Sequence, residues 1–262
     1  MTDILVIPDA HAHPDYSSDR FSLIGKAIVK YQPDVVVCLG DFADMPSLSH
    51  FDKGKTSFEG KRYWKDIEAT REAYSLMMAP LREFQQKLVD GNRRRYNPRL
   101  VMTTGNHEDR VNKLVESDSR LHGSIGLQDL PWYQSGEGWE VLPFKRYVTI
   151  DGVSFIHYVP TKMGTATSSK HLAYTIIQEK AVSVVVGHSH VLDYYEKARP
   201  DGSKFFGLSA GCFCHEDHDE AWSRGADEHW WRGLHLLRGV ENGYWRSRVE
   251  MTLASLRDEF RT

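Results

Sequence analysis

Four short apolar runs each stop at residues that bind metal ions or move protons, and this repeated pattern constrains the fold more than any other feature of the chain. Ile4-Leu5-Val6-Ile7 leads to Asp9 and His11, and Val35-Val36-Val37-Cys38-Leu39 leads to Gly40-Asp41. Leu100-Val101-Met102 leads to Gly105-Asn106-His107-Glu108, and the run holding Val182, Val184, Val185 and Val186 leads to Gly187-His188-Ser189-His190. A fifth run, Val153-Ser154-Phe155-Ile156, closes on His157. Parallel strands buried on both faces read as continuous apolar runs, and open α/β sheets build their sites just beyond the carboxyl ends of the strands. Five strands therefore aim seven metal-type ligands at one crevice: Asp9, His11, Asp41, Asn106, His157, His188 and His190.

The intervening sequence supports an α/β architecture. Phe21, Leu23, Ile24, Ala27, Ile28 and Tyr31 recur at helical spacing between the first two runs, which makes a strand–helix–strand unit with a right-handed crossover. Residues 42–60 read as loop, including Phe51-Asp52-Lys53. A long helical face follows in Ile67, Tyr74, Met77, Leu81, Phe84 and Leu88, where Pro80 predicts a kink or a break near Ala79. Short helices are expected over Asp109 to Val115 and Leu172 to Glu179. Residues 117–140 read as a loop-rich segment over the site, which with 42–60 would line the substrate pocket. Hairpins are expected around Asp151-Gly152, Pro200-Asp201-Gly202 and Glu241-Asn242-Gly243. The expectation is one domain over 1–262, with a loop and helix insertion at about 42–98, built as two facing sheets with helices outside.

Composition excludes several classes. A net charge of −3 argues against a surface covered in nucleic-acid-binding charge. The cysteines Cys38, Cys212 and Cys214 make no disulfide framework, which points to a reducing compartment. No apolar run approaches the ~20 residues of a membrane span, and no basic region precedes an apolar segment at the start. A soluble cytoplasmic protein without a membrane partner is therefore predicted; its oligomeric state is left open.

Carboxylate oxygen and imidazole suit a hard divalent ion, whereas thiolate is absent from the set. Asp9 and His11 are two apart, so an extended segment would point both to one side, and His188 and His190 repeat that spacing. Asp41, a lone carboxylate between histidine-containing groups, suits a bridge between two ions about 3.5–4 Å apart that clamp a phosphoryl group. His107, beside Asn106, would sit at the leaving oxygen as general acid.

These pieces, D-x-H, G-D, G-N-H-E, H and G-H-x-H in that order, resemble the calcineurin-like metallophosphoesterase superfamily from Asp9 to His190. The resemblance implies a four-layer α/β/β/α sandwich of two mixed sheets. It implies a first metal held by Asp9, His11, Asp41 and His190, and a second held by Asp41, Asn106, His157 and His188. It also implies attack on phosphorus by a bridging hydroxide, with His107 oriented by Asp44. Two divalent ions are expected, manganese first, with iron, zinc or nickel as alternatives. In the protein-phosphatase branch the aspartate at Asp44 is followed by a phosphate-gripping arginine and a glycine. Here Met45-Pro46 follow, so the phosphate's cation must be found elsewhere, with Arg110, Lys162 and the Arg62/Lys65 face as candidates. The segment from Gly40 to about Met78 is similar to small metallophosphoesterases of bacteriophages, which would place the chain in a host cytoplasm. The expected substrate is a phosphate mono- or diester, leaning to a nucleotide or nucleic acid, with a nucleotide pyrophosphate also open. Alternatives are a protein or small-molecule phosphomonoesterase, or a non-catalytic metal-binding module.

Three further groups carry weaker signals. Cys212-Phe213-Cys214-His215 with His218 reads as a loop near the active-site rim, with a separate zinc site as the alternative, its ligands packed more tightly than zinc sites usually are. Arg93-Arg94-Arg95 reads as a solvated loop, with nucleic-acid backbone binding as the alternative. The aromatic residues from Trp222 to Trp245 read as packing rather than a base-stacking platform.

Overall fold

Eleven strands in two sheets and five helices make up the described residues of the computed structural model, namely 1–50, 54–218 and 227–261. Phe51-Asp52-Lys53 and Trp222 lie outside them. The first three apolar runs form β1 (Thr2–Ile7), β2 (Val35–Cys38) and β3 (Arg99–Thr103), paired parallel as neighbours. A short β4 (Glu140–Leu142) extends this sheet beside β3. On its other side β1 pairs antiparallel with β10 (Gly233–Val240), which pairs with β11 (Ser247–Thr252). The second sheet has the order β5 (Val148–Ile150), β6 (Val153–Ile156), β7 (Ser183–Val186), β9 (Lys204–Ala210), β8 (Leu192–Ala198). In it β6, β7 and β9 run parallel, and β5 and β8 pair antiparallel at the edges. All three expected hairpins are present in these pairings.

The two sheets face each other because the strands are apolar on both faces. Ile4, Val6, Val35, Val37 and Leu39 of the first sheet meet Val153, Phe155, Val185, Phe206 and Leu208 of the second in one buried cluster. The alternate residues Leu5, Ile7, Val36, Cys38 and Met102 point outward to α1 (Arg20–Tyr31), α2 (Tyr63–Asp90) and α5 (Leu253–Glu259). On the far side Ile156, Val184 and Val186 pack against Ile176 and Ile177 of α4 (Leu172–Lys180). The result is the four-layer α/β/β/α sandwich of two mixed sheets.

Several local expectations change. α2 stays one helix through Pro80 instead of breaking near Ala79. Its buried face (Ile67, Ala73, Tyr74, Met77, Leu81) must stay in register against α1, and Gly25 of α1 makes room for it. A Cβ on Gly25 would lie 2.2 Å from the Met77 carbonyl oxygen and 2.8 Å from Pro80 Cδ. Residues 117–140 are not a cover over the site. They form three short 3-10 turns that bury Trp132 and Trp139 against Phe42 and Tyr74, below α2. The strand expected to reach Leu253 ends at Thr252, whose hydroxyl accepts from Ser255 N at 3.1 Å and starts α5.

Candidate active site

All nine residues singled out for chemistry lie at the carboxyl ends of β1, β2, β3, β6 and β7 or in the loops that follow them. The backbone there is bent rather than extended: His11, Asp41, His188 and His190 have φ of 48°, 47°, 67° and 61°. Non-glycine residues occupy this left-handed region at a cost, and such positions cluster at functional sites. The expected extended Asp9–His11 and His188–His190 segments are therefore turns. The turns are held from several directions, since His11 N donates to Asp41 O at 2.9 Å, His188 N to Asp9 Oδ2 at 2.8 Å, and Phe213 N to Asp9 O at 2.8 Å. Two glycines are required by close approach. A Cβ on Gly187 would fall 2.0 Å from Asp9 Oδ1, and one on Gly105 would fall 2.1 Å from Asp41 Oδ1.

The side chains converge in two adjoining groups. In one, His11 Nε2 lies 3.1 Å from His190 Nε2, which lies 3.4 Å from Asp9 Oδ2. In the other, Asp41, His157 and His188 offer ligand atoms within 4.8 Å of one another. His157 Nε2 sits 3.2 Å from Asp41 Oδ2 and 2.8 Å from Asn106 Oδ1. His157 Nδ1 donates to Leu39 O at 2.9 Å, so its Nε2 carries the lone pair facing these oxygens when the ring is neutral. Asp41 also groups with His11 and His107.

Buried carboxylates and imidazoles this close shift one another. Burial pushes Asp41 up, but His157 and His107 outweigh it and hold the carboxyl well below its usual range. Asp9 is lowered in the same way, with burial opposed by His157 and His190. His157 is raised to about 9, burial being outweighed by Asp41 and Asp9, whereas burial and the neighbouring His157 push His188 down to about 4. The donor set fits divalent cations: hard oxygen and imidazole nitrogen converge, and buried Asp9 Oδ1 accepts no hydrogen bond among the described residues.

His107 stands beside these groups. Its Nδ1 contacts Asp44 Oδ1 and Asp44 O, each at 2.7 Å. Burial and Arg110 push His107 down, but Asp41 and Asp44 raise it to about 9. Asp44 Oδ1 also lies 3.2 Å from His11 Nδ1. Arg110 donates to Asp44 O at 2.9 Å and lies 3.0 Å from His107 Nε2.

A cavity of about 640 Å³ opens beside Asp41, Asn106, His107, Arg110, His188 and His190. Its opposite wall is the 166–172 segment rather than either of the loops expected there. The 42–60 loop instead contributes Pro46, Glu59 and Gly60 to a separate cleft of about 200 Å³.

A family model for calcineurin-like phosphoesterases matches residues 2–207. The chain belongs to the calcineurin-like phosphoesterase family. It is therefore a phosphoric ester hydrolase of a family that works with divalent metal ions. Among curated relatives it is 29% identical to the gene 54 protein of Mycobacterium phage D29 over 195 residues, covering 71% of this chain and 68% of that protein. The gene 54 protein of Mycobacterium phage L5 is 28% identical over the same length and shares. Among solved structures it aligns with Yfce, a phosphoesterase from E. coli, at 10% identity and a TM-score of 0.36, covering 94% of this chain and 98% of that one.

Two residues in or near the family motifs were given no role from sequence. Glu108 is buried, and its carboxylate accepts from Asp41 N, Ala43 N and Gly105 N at 3.0, 2.9 and 2.8 Å, tying the β2 and β3 loops together. Its signal was its place directly after Asn106-His107. Arg20 is buried and donates to Ala10 O, His11 O and Phe213 O at 2.7, 2.8 and 2.9 Å, clamping the β1 loop. A charged residue on the same face as Phe21 and Ile24 was the available clue.

The cysteine–histidine cluster with the weaker zinc signal is divided. Cys212 and Cys214 Sγ lie 3.2 Å apart and group with His190, whereas His215 stacks on Tyr16 and His218 packs 5.0 Å from His11. Arg93, Arg94 and Arg95 are exposed at the end of β3 remote from the site. Trp230 packs edge-on to His190 and Trp245 against Phe206, as packing residues.

Proposed function

We propose that this chain hydrolyses phosphate mono- or diesters of nucleotides or nucleic acid at a dinuclear metal centre, with His107 as general acid. The observation that carries the reading is Asp41, which shares one group of converging ligand atoms with His11 and another with His157 and His188. Asp9, His11, Asp41 and His190 would hold one ion, and Asp41, Asn106, His157 and His188 the other. Manganese is the first candidate, followed by iron, zinc and nickel. When bound, the ions supply Lewis-acid charge and an activated water for in-line attack on phosphorus.

The chain's own groups account for the remaining work. Asp44 holds His107 by Nδ1, which leaves Nε2 directed at the space beside Asp41. Asp44, which is not one of these ligands, pairs with Nδ1 and favours the protonated imidazole, so His107 has a proton to deliver to the departing oxygen. The cavity beside it, walled by Ala166, Thr167, Ser168, Leu172 and Val191, is large enough for a nucleoside arm. The unit of function is one domain over 1–262, with 42–98 as an insertion, acting in a host cytoplasm if phage-encoded.

Metal analysis combined with turnover of bis-p-nitrophenyl phosphate and p-nitrophenyl phosphate tests the reading. Wild type carries two ions per chain and cleaves at least one ester. Asp41→Asn loses metal and activity together, and His107→Ala keeps metal while kcat falls by about 100-fold or more. A folded chain loaded with two ions that cleaves neither ester, nor a nucleotide diester, would falsify it.

A further inference from the structure

The resemblance to the protein-phosphatase branch implies a phosphate-gripping arginine after Asp44, beside the ions, and this chain carries Met45 there. The residue after Asp44 is Met45, fully buried in the core beneath the first sheet. Three alternatives were open from sequence, and the structure separates them by position. Lys162 lines a different cleft, with Pro160, Thr161 and Lys180. Arg62 and Lys65 line the small cleft with Pro14 and Pro46. Arg110 lines the large cavity together with Asp41, Asn106 and His107.

We propose that Arg110 is the residue that binds the substrate's phosphate oxygens, supplying from α3 (Asp109–Ser117) the guanidinium that the β2 loop no longer carries. This rests on the phosphoesterase reading above. The geometry supports it in three ways. First, the Arg110 guanidinium is anchored on the very loop that would otherwise bear the arginine, since Nη1 donates to the carbonyls of Asp44 at 2.9 Å and Met45 at 3.2 Å. The side chain is thus held in place before any substrate arrives, and little conformational freedom is left to lose on binding.

Second, Nη2 lies 3.0 Å from His107 Nε2, close enough for one phosphoryl oxygen to touch both. Third, the donors do not run out. A guanidinium has five N–H groups, and the bonds to Asp44 O and Met45 O occupy the two on Nη1. With His107 protonated, the Nε–H and the Nη2 hydrogens have no acceptor among the described residues, and the group is half-buried at the cavity wall. A pair of parallel N–H donors on one guanidinium edge matches a phosphate in a way that a lysine does not. The chemical class bound is a tetrahedral oxyanion: the phosphate of the ester, and afterwards that of the product.

Direct binding of orthophosphate to the metal-loaded protein, measured by calorimetry, tests this without relying on turnover. Arg110→Ala weakens orthophosphate binding by about 10- to 100-fold at unchanged metal content, the loss expected for hydrogen bonds to a charged group. Arg110→Lys gives an intermediate value, and guanidinium added to Arg110→Ala restores part of the binding. Equal affinity in wild type and Arg110→Ala overturns the inference. So does a loss of metal in step with the loss of phosphate, which assigns Arg110 to bracing the Asp44–Met45 loop. Wild type that binds orthophosphate through Arg110 yet cleaves no ester leaves this inference standing and removes the hydrolytic reading.

Discussion

His107 and His235 are both buried histidines in one chain, and their surroundings push them in opposite directions. His107 has two carboxylates for neighbours and rises to about 9. His235, in β10, has Ala210 O at 3.0 Å as its one hydrogen-bond partner among the described residues, stacks on Trp231 and faces Arg248. Burial there lowers it from 6.5 to about 4. A folded-state value below the unfolded one means that the unfolded chain takes up a proton first as pH falls. The contribution of His235 is therefore intact above 6.5 and is lost progressively down to about 4. Between pH 7 and pH 5 this loss amounts to about 2 kcal/mol. In urea titrations at the two pH values, His235→Gln is expected to lose less stability on acidification than wild type by about that amount; an identical loss in both proteins would show that His235 does not titrate as described.

Helices and strands were legible to different degrees for physical reasons. β1, β2, β3, β6 and β7 are buried on both faces, so their sequences are nearly unbroken apolar runs. β4 is three residues long at a sheet edge, too short to show a period. Pro80 left a kink or a break open in α2, and packing against α1 keeps the helix continuous. The same packing reverses the usual effect of a glycine. Gly25→Ala in a helix interior would ordinarily stabilise by about 1 kcal/mol. Here the new Cβ would overlap the Met77 carbonyl oxygen, which belongs to backbone and has no rotamer to yield. Gly25→Ala is expected to destabilise by about 2 kcal/mol or more, read as a lower thermal midpoint; a rise in the midpoint would show that α1 and α2 are not in this contact.

At the scale of the whole molecule, the site joins the two sheets. The loops after β1, β2 and β3 bring Asp9, His11, Asp41 and Asn106, and those after β6 and β7 bring His157, His188 and His190. Ions held there would tie the sheets together and relieve the crowding of buried charge, coupling metal binding to folding. Removing metal with a chelator is expected to lower the thermal midpoint by about 5 °C or more, recovered on adding manganese or zinc. An unchanged midpoint would mean that the cluster holds no ion. The amino-acid sequence alone determined the parallel strands, the order of the motifs and the identity of the seven ligand-type residues, because each of these is written in a few consecutive residues. Tertiary structure alone decided that the ligand loops turn instead of staying extended, that 117–140 packs below α2, and that 166–172 walls the cavity. It also decided that Arg110 reaches the Asp44–Met45 loop. Those outcomes depend on contacts between segments far apart in the chain, which no local pattern of residues encodes.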